Sequence, residues 1–225
     1  MTRTKLLAVA KPILFNTEMV RAILDGRKTM TRRVIKVKAP YGQWQLEKCD
    51  HYRDQKYIDN LPEGVTASKG FLTYGPFGGY VPHKEPPYKI GDILYVRESW
   101  RSGWCEHFFY KADDETEKST GYSIKLKWRP SIHMPKEAAR IFLRVKNVRA
   151  ERLQDITEEQ AIKEGVLTVP ERDKIIIHDY NGNGHRTGFA LLWDSTIPKK
   201  NLDLYGWNAN PWVWVYEFER ISEDI

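Results

Sequence analysis

The sequence predicts a single α+β or barrel-type domain over residues 1–225, with several strands, three short helices and two long loop insertions. Three observations lead there. Trp212–Phe218 sets Trp212, Trp214, Tyr216 and Phe218 against Val213, Val215 and Glu217, so both faces are largely apolar, as in a central strand. Ile156–Ala161 carries Thr157 with Gln160 three residues on, the pattern of a helix capping box. Gly and Pro clusters without periodicity interrupt the chain at about 39–90 and 168–186.

Taken in order, residues 11–15 read as a first strand. Thr17 is placed to cap a short helix, with Glu18 in its first turn and Met19/Ile23 and Val20/Leu24 at i,i+4 spacing. Gly26 closes that helix and delivers the chain into a basic stretch. Within the first insertion one hairpin is expected. Gly91-Asp92 marks a turn into a strand over Ile93–Trp100, with Leu94, Val96, Glu98 and Trp100 on one face. Residues 108–111 and 122–128 suggest a hairpin around the acidic tip Asp113–Lys118. Ile141–Val148 reads as a strand with Ile141, Leu143 and Val145 inward. After it comes the capped helix, with Ile156 and Ala161 placed as a staple and Gly165 at its end. Thr187 is placed to cap a third helix over Gly188–Ser195, which carries Phe189, Leu192 and Trp193.

The hydrophobic fraction of 41% is enough for a proper core, and 8 Trp, 12 Tyr and 8 Phe exceed what a small core needs. Aromatic residues favour strands and also make platforms on which bases stack, and composition leaves both uses open. The net charge of +6 favours polyanionic partners weakly. Its distribution says more: Arg27, Lys28, Arg32, Arg33, Lys36 and Lys38 lie within twelve residues with no acid among them. Leu6–Ala10 is too short for a signal or membrane segment and mean hydropathy is −0.60, so the expectation is a cytoplasmic protein with no membrane partner.

Cys49 and Cys105 do not make a disulfide framework. The Cys49/His51 and Cys105/His107 pairs lack zinc-ligand spacing, so no metal site is expected. The sequence also lacks a Gly-x-Ser-x-Gly elbow, a phosphate loop, a dinucleotide glycine pattern and His-Glu-x-x-His. What remains is Gly26-Arg-Lys-Thr-Met-Thr-Arg-Arg33.

That stretch, together with Gly91-Asp-Ile-Leu-Tyr-Val-Arg-Glu-Ser-Trp100 and the closing strand Trp212–Glu219, resembles the ASCH domain of the PUA-like superfamily. Lys11–Phe15 and Trp128–Pro135 resemble a longer branch of that family found in bacteria and their phages. The resemblance covers about two thirds of the chain and leaves the insertions unaligned. It implies a small PUA-like β-barrel with a cleft for RNA or nucleosides. One small bacterial member is an N4-acetylcytidine amidohydrolase whose Lys, Thr and Glu match Lys28, Thr31 and Glu164 here, with Glu158 and Glu159 as competitors for the Glu.

The chemistry is coherent with those residue types. Amide hydrolysis needs a nucleophile, a base, and an acid for the leaving amine. Thr31 would attack, and Lys28, its amine made less basic by burial or by neighbouring cations, would take the proton. Glu164 would orient Lys28 or protonate the leaving amine. Arg32, Arg33, Glu98 and Trp100 are the candidates for binding substrate, and no metal or organic cofactor is implied. In an ideal strand residues 28 and 31 face opposite ways, so the chain must turn between them. Two other readings stay open: a non-catalytic RNA-binding module using the cations of 27–38, and a metal-assisted ribonuclease.

Overall fold

The computed structural model describes residues 2–36, 44–48, 70–74, 86–103, 107–113, 127–166 and 184–221. Along the chain these form helix α1 (Arg3–Val9), strand β1 (Lys11–Leu14), helix α2 (Thr17–Leu24) and strands β2 (Met30–Val34), β3 (Trp44–Lys48) and β4 (Gly70–Tyr74). They continue as β5 (Ile93–Arg97), β6 (Trp100–Ser102), β7 (Phe108–Tyr110), β8 (Phe142–Arg152), helices α3 (Glu158–Lys163), α4 (His185–Thr196) and α5 (Leu202–Tyr205), and β9 (Trp212–Arg220).

Five strands make one sheet in the order β1-β5-β8-β9-β2. Only the β1–β5 pair is parallel. The alternation of β9 explains its central place. Trp214, Tyr216 and Phe218 point into a core with Ile13, Phe15, Leu94, Val96, Leu143 and Val145. Val213 and Val215 point the other way, into a core shared with Met30, Leu153, Ile156, Phe189 and Trp193 under α3 and α4. A strand apolar on both faces fits only where both faces are covered. A bulge between Val145 and Asn147 adds twist to β8, where it pairs with β9.

The α+β class is as the sequence predicts. The sheet, however, is not closed into a barrel: β1 and β2 are its two ends, and no strand pair joins them among the described residues. Side chains occupy the seam instead. From β2, Arg33 Nη2 donates to Leu14 O of β1 at 2.7 Å, and Tyr88 Oη donates to Pro12 O at 2.6 Å. Edge carbonyls that a neighbouring strand would have paired are satisfied this way.

Other local expectations are met or corrected. The Thr157/Gln160 capping box forms in both directions at 3.2 Å, with Ile156 and Ala161 buried as the staple. At the start of α2 the cap is Asn16, not Thr17; its side chain accepts from Met19 N at 2.8 Å, and Thr17 is the first helical residue. Helix α4 begins at His185 after Gly184, not at Thr187, because Glu158 of α3 reaches across and accepts from Arg186 N. A carboxylate supplied from a neighbouring helix replaces the local cap. Helices α1 and α5 are additional to the three expected.

The strand expected over Ile93–Trp100 stops at Arg97. The break at Glu98-Ser99 turns Trp100 to the side of Ile93 and Tyr95, away from Leu94 and Val96. Strand β7 pairs with β6, and residues 122–126 of the hairpin expected with it lie outside the described ones. The hairpin expected in the first insertion is β3–β4; most of both insertions lies outside the described residues, as do Cys49, His51 and Cys105. No helix among the described residues is long and apolar enough to cross a membrane.

Glycines Gly26 and Gly165 both adopt left-handed backbone, at φ +75° and +82°, but only one sits in a tight place. A Cβ at Gly26 meets open space, whereas at Gly165 it would lie 2.7 Å from Ala22 Cβ and 2.9 Å from Lys28 Cβ. Gly26→Ala should cost roughly 1 kcal/mol from its backbone alone. Gly165→Ala should cost more, about 2–4 kcal/mol, because the α2–α3 contact must also open. Urea denaturation of the two variants checks this ranking.

Candidate functional site

The turn that carries Lys28 is fixed from three sides. After Gly26 ends α2, Lys28 N donates to Ala22 O at 2.9 Å, Thr29 N donates to Lys163 O at 2.8 Å, and Phe218 N donates to Thr29 O at 2.9 Å. Strand β2 starts only at Met30, and Lys28 makes an isolated bridge to Glu164. The chain therefore turns between Lys28 and Thr31, which removes the objection that an unbroken strand would send them to opposite faces. Glu164 arrives because α3 ends on it, with Gly165 reversing the chain just beyond.

These side chains form a buried ion cluster. Lys28 Nζ donates to Glu164 Oε2 at 2.7 Å, to Glu164 O at 2.9 Å and to Met30 O at 2.8 Å. The other carboxylate oxygen, Oε1, accepts from Arg32 Nη1 at 3.1 Å. Arg32 Nη2 in turn donates to Gln160 Oε1 at 2.7 Å and to Glu151. Lys28, Arg32 and Glu164 are each 3% exposed or less. Burying such charges is costly, and it is tolerated here because nearly every donor and acceptor is paired.

Burial lowers the basicity of the Lys28 amine. The Glu164 carboxylate beside it opposes that effect, and Arg33 and Arg32 reinforce it. Of the two causes the sequence left open, burial is the larger and the neighbouring cations the smaller. With three acceptors on one ammonium, Lys28 has no donor to spare; losing a proton would leave two donors and one lone pair free to accept.

Beside the cluster opens a cleft of about 410 Å³. Phe15, Asn16 and Thr17 from the β1–α2 corner form one wall. Thr31, Arg32 and Arg33 of β2 and Glu164 form a second, Phe189 and Trp193 of α4 a third, and Ser99, Pro130 and Ser131 the rim opposite. Thr31 sits deep in it, 1% exposed. Lys28 lies behind the wall, with its Nζ 5.6 Å from the Phe15 ring centroid. The guanidinium of Arg33 lies over the same ring at 5.0 Å.

Of the residues expected from sequence, Lys28, Thr31, Glu164, Arg32 and Arg33 thus meet at one place. Glu98 and Trp100 do not line it. Both oxygens of Glu98 are held by Arg140, at 2.9 and 3.0 Å, and Trp100 packs edge-on to Phe108 under the Arg129 guanidinium. Only Ser99 between them reaches the cleft, because the strand breaks there. Arg32 lines the wall, but its terminal nitrogens are spent on Glu164, Gln160 and Glu151, so it positions Glu164. Of the competing acids, Glu158 caps α4 and Glu159 is exposed. Sequence reasoning missed Glu151 and Gln160, the partners of Arg32. The strand read from sequence as Ile141–Val148 stops short of Glu151, which the longer strand Phe142–Arg152 contains as its one acid.

The basic stretch is turned inward only in part, with Arg27 and Lys36 exposed. Lys28 and Arg32 are buried, Arg27 pairs with Asp25 at 2.8 Å, and Arg33 crosses the seam to β1. Lys38 lies outside the described residues. Among the described residues no group of His, Cys, Asp or Glu is arranged to hold a metal ion. No family model, curated protein or solved structure matches the chain.

Removing the shared carboxylate leaves Lys28 without its carboxylate, and leaves Arg32 with Glu151 and Gln160 alone. Glu164→Ala should destabilise the protein by roughly 3–5 kcal/mol, the usual cost of breaking a buried pair. Glu164→Gln keeps the shape and one acceptor oxygen and should cost less. A double-mutant cycle of Lys28→Met with Glu164→Gln, read by denaturant unfolding, should give a coupling of about 1 kcal/mol or more.

Proposed function

We propose that the protein is an amidohydrolase that removes the acyl group from N4-acylated cytidine or cytosine compounds, on an ASCH-like domain of the PUA-like type. The observation that carries this reading is the meeting of Thr31 and Glu164 in one cleft, with the Lys28 amine 2.7 Å from Glu164 Oε2 behind it. The curved sheet whose end strands face each other across a side-chain seam is compatible with a PUA-like barrel.

In this mechanism the pyrimidine packs among Phe15, Phe189 and Trp193. Neutral Lys28 takes the Thr31 hydroxyl proton as Thr31 Oγ attacks the acyl carbonyl. Glu164, held by Arg32, fixes the amine through its other oxygen. Arg33, with donors beyond the one given to Leu14 O, faces the charge that develops on the carbonyl oxygen. The C–N4 bond then breaks as the proton passes back to the leaving amine. Water cleaves the acyl-Thr31 ester, releasing the carboxylic acid. The reading in which residues 27–38 hold RNA phosphates keeps fewer cations than the sequence offered, since Lys28 and Arg32 are bound to Glu164 inside the protein.

Incubation with N4-acetylcytidine should give cytidine, followed by its absorbance change; absence of turnover with acetyl and bulkier N4-acyl compounds at high enzyme concentration would refute the proposal. Lys28→Met should lower kcat by about 10²–10⁴-fold, the contribution of a general base. Thr31→Ala should be comparably severe, and the double variant no worse than either alone, because residues acting as a unit are not additive.

The reaction needs the neutral amine, so kcat should rise with pH through the Lys28 titration. Burial moves that limb below the ordinary value of 10.5. A pH–rate profile from pH 5 to 10 checks it; a flat profile over that range would contradict Lys28 as base.

A further inference from the structure

We infer that Asn16 reads the base in the cleft, donating through its Nδ2 to the 2-oxo group of a pyrimidine. The assignment rests on the reading of the cleft as a site for a cytosine compound, and it narrows the substrate class from any acylated aminopyrimidine to the pyrimidin-2-ones.

The amide of Asn16 is fixed by the fold. As the N-cap of α2, Asn16 accepts the Met19 N–H on Oδ1 at 2.8 Å, and its backbone carbonyl accepts from Val20 N at 3.0 Å. Only the oxygen of a carboxamide can accept from a backbone N–H, so the cap decides which end of the amide faces the helix. The nitrogen is left on the other side with both of its hydrogens, and it has no acceptor among the described residues. Asn16 is exposed and lines the cleft, next in sequence to Phe15 on the same wall.

The rest of the lining shows why this group discriminates. Thr17, Thr31, Ser99 and Ser131 offer hydroxyls, and a hydroxyl rotates to donate or to accept. Both oxygens of Glu164 are held by Lys28 and Arg32. Asn16 is the one carboxamide among the described residues of the lining, and its pinned side chain can only donate into the cleft. The hydroxyl of Thr31, a residue 1% exposed, also has no hydrogen-bond partner among the described residues, so the cleft offers unmet polar groups on two walls. A cytosine matches that pair. With the acyl group on N4 held at Thr31, the edge that follows N4 carries N3 and O2, both acceptors, toward the wall of the β1–α2 corner. Because Asn16 is open to water, an unmatched Nδ2 is hydrated again. The discrimination is therefore that of one neutral hydrogen bond, about fivefold, and not that of a sealed polar pocket.

The test is to measure binding of cytosine and of 4-aminopyrimidine, which lacks the 2-oxo group, by calorimetry at pH 8, where both are neutral. The proteins are the wild type, Asn16→Ser and Asn16→Asp. Serine and aspartate are both good N-caps, so α2 is kept and the urea midpoints of the variants should match that of the wild type. The wild type should bind cytosine about fivefold more tightly than 4-aminopyrimidine. The ratio should fall to about one in Asn16→Ser, and below one in Asn16→Asp, which sets an oxygen against O2. Equal affinity for the two compounds in the wild type, or a ratio unchanged in both variants, overturns the assignment, as does binding of neither at millimolar concentration. Hydrolysis of N4-acetylcytosine with no 2-oxo preference in binding would sink the role of Asn16 alone. A 2-oxo preference that depends on Asn16, without hydrolysis of any N4-acyl compound, would sink the amidohydrolase reading alone.

Discussion

A carboxylate with one cation on each oxygen, sealed from water, is the constraint on which the rest of this structure depends. Burying Glu164 requires Lys28 and Arg32 beside it; Glu164 is the carboxylate on Lys28, and Arg32 shares it while also pairing with Glu151. Lys28 belongs to the turn after α2, Arg32 to the end strand β2, and Glu164 to the close of α3. Pairing them ties two neighbouring elements to a third, 132 and 136 residues further along the chain. The backbone follows: Thr29 donates to Lys163 O, and Gly165 must be glycine because Ala22 and Lys28 crowd its α-carbon. Arg32 carries the constraint outward to Gln160 and Glu151, and so to α3 itself and to β8.

The same cluster explains why the end strand β2 tolerates its position. An exposed sheet edge invites pairing with other chains unless it is covered. Here the end of α3 covers the start of β2, while Arg33 crosses to Leu14 and Tyr88 to Pro12 on the far edge strand β1. The cleft is the part of the seam those contacts leave open. Its walls are therefore the two sheet ends and the helices beside them, which is why Phe15 and Thr31, from opposite ends of the sheet order, face one space.

Much of this was legible in the residues. The capping box, the burial of both faces of β9 and the left-handed glycines each follow from local stereochemistry, which does not depend on distant partners. The convergence of Lys28, Thr31 and Glu164 was reached through a family resemblance, because nothing in a spacing of more than a hundred residues encodes contact. What escaped was tertiary by nature. Thr187 has the right side chain for a cap, but Glu158 from another helix took the role. Glu98 and Trp100 have the right spacing for a shared strand face, but the break at Ser99 turned one into a partner of Arg140 and the other into a core aromatic. Lys28 and Arg32 could be read as part of an outward-facing basic run because sequence shows charge and hides direction.

Direction decides what the charge does. Lys28 and Arg32 with Glu164 and Glu151 sum to zero, so the densest pair of buried cations contributes little field outside the protein. Their effect is short-ranged, confined to an amine whose basicity is lowered by burial and a carboxylate held still beside Thr31. A site built this way suits a neutral, planar group that stacks among Phe15, Phe189 and Trp193. Attraction of an anion must come from cations not already bound to a carboxylate, and in the cleft wall Arg33, which donates to the Leu14 and Arg32 carbonyls, is one. The interior charges thus tie the turn after α2 and strand β2 to the end of α3, while any preference for a charged ligand falls to cations outside that cluster.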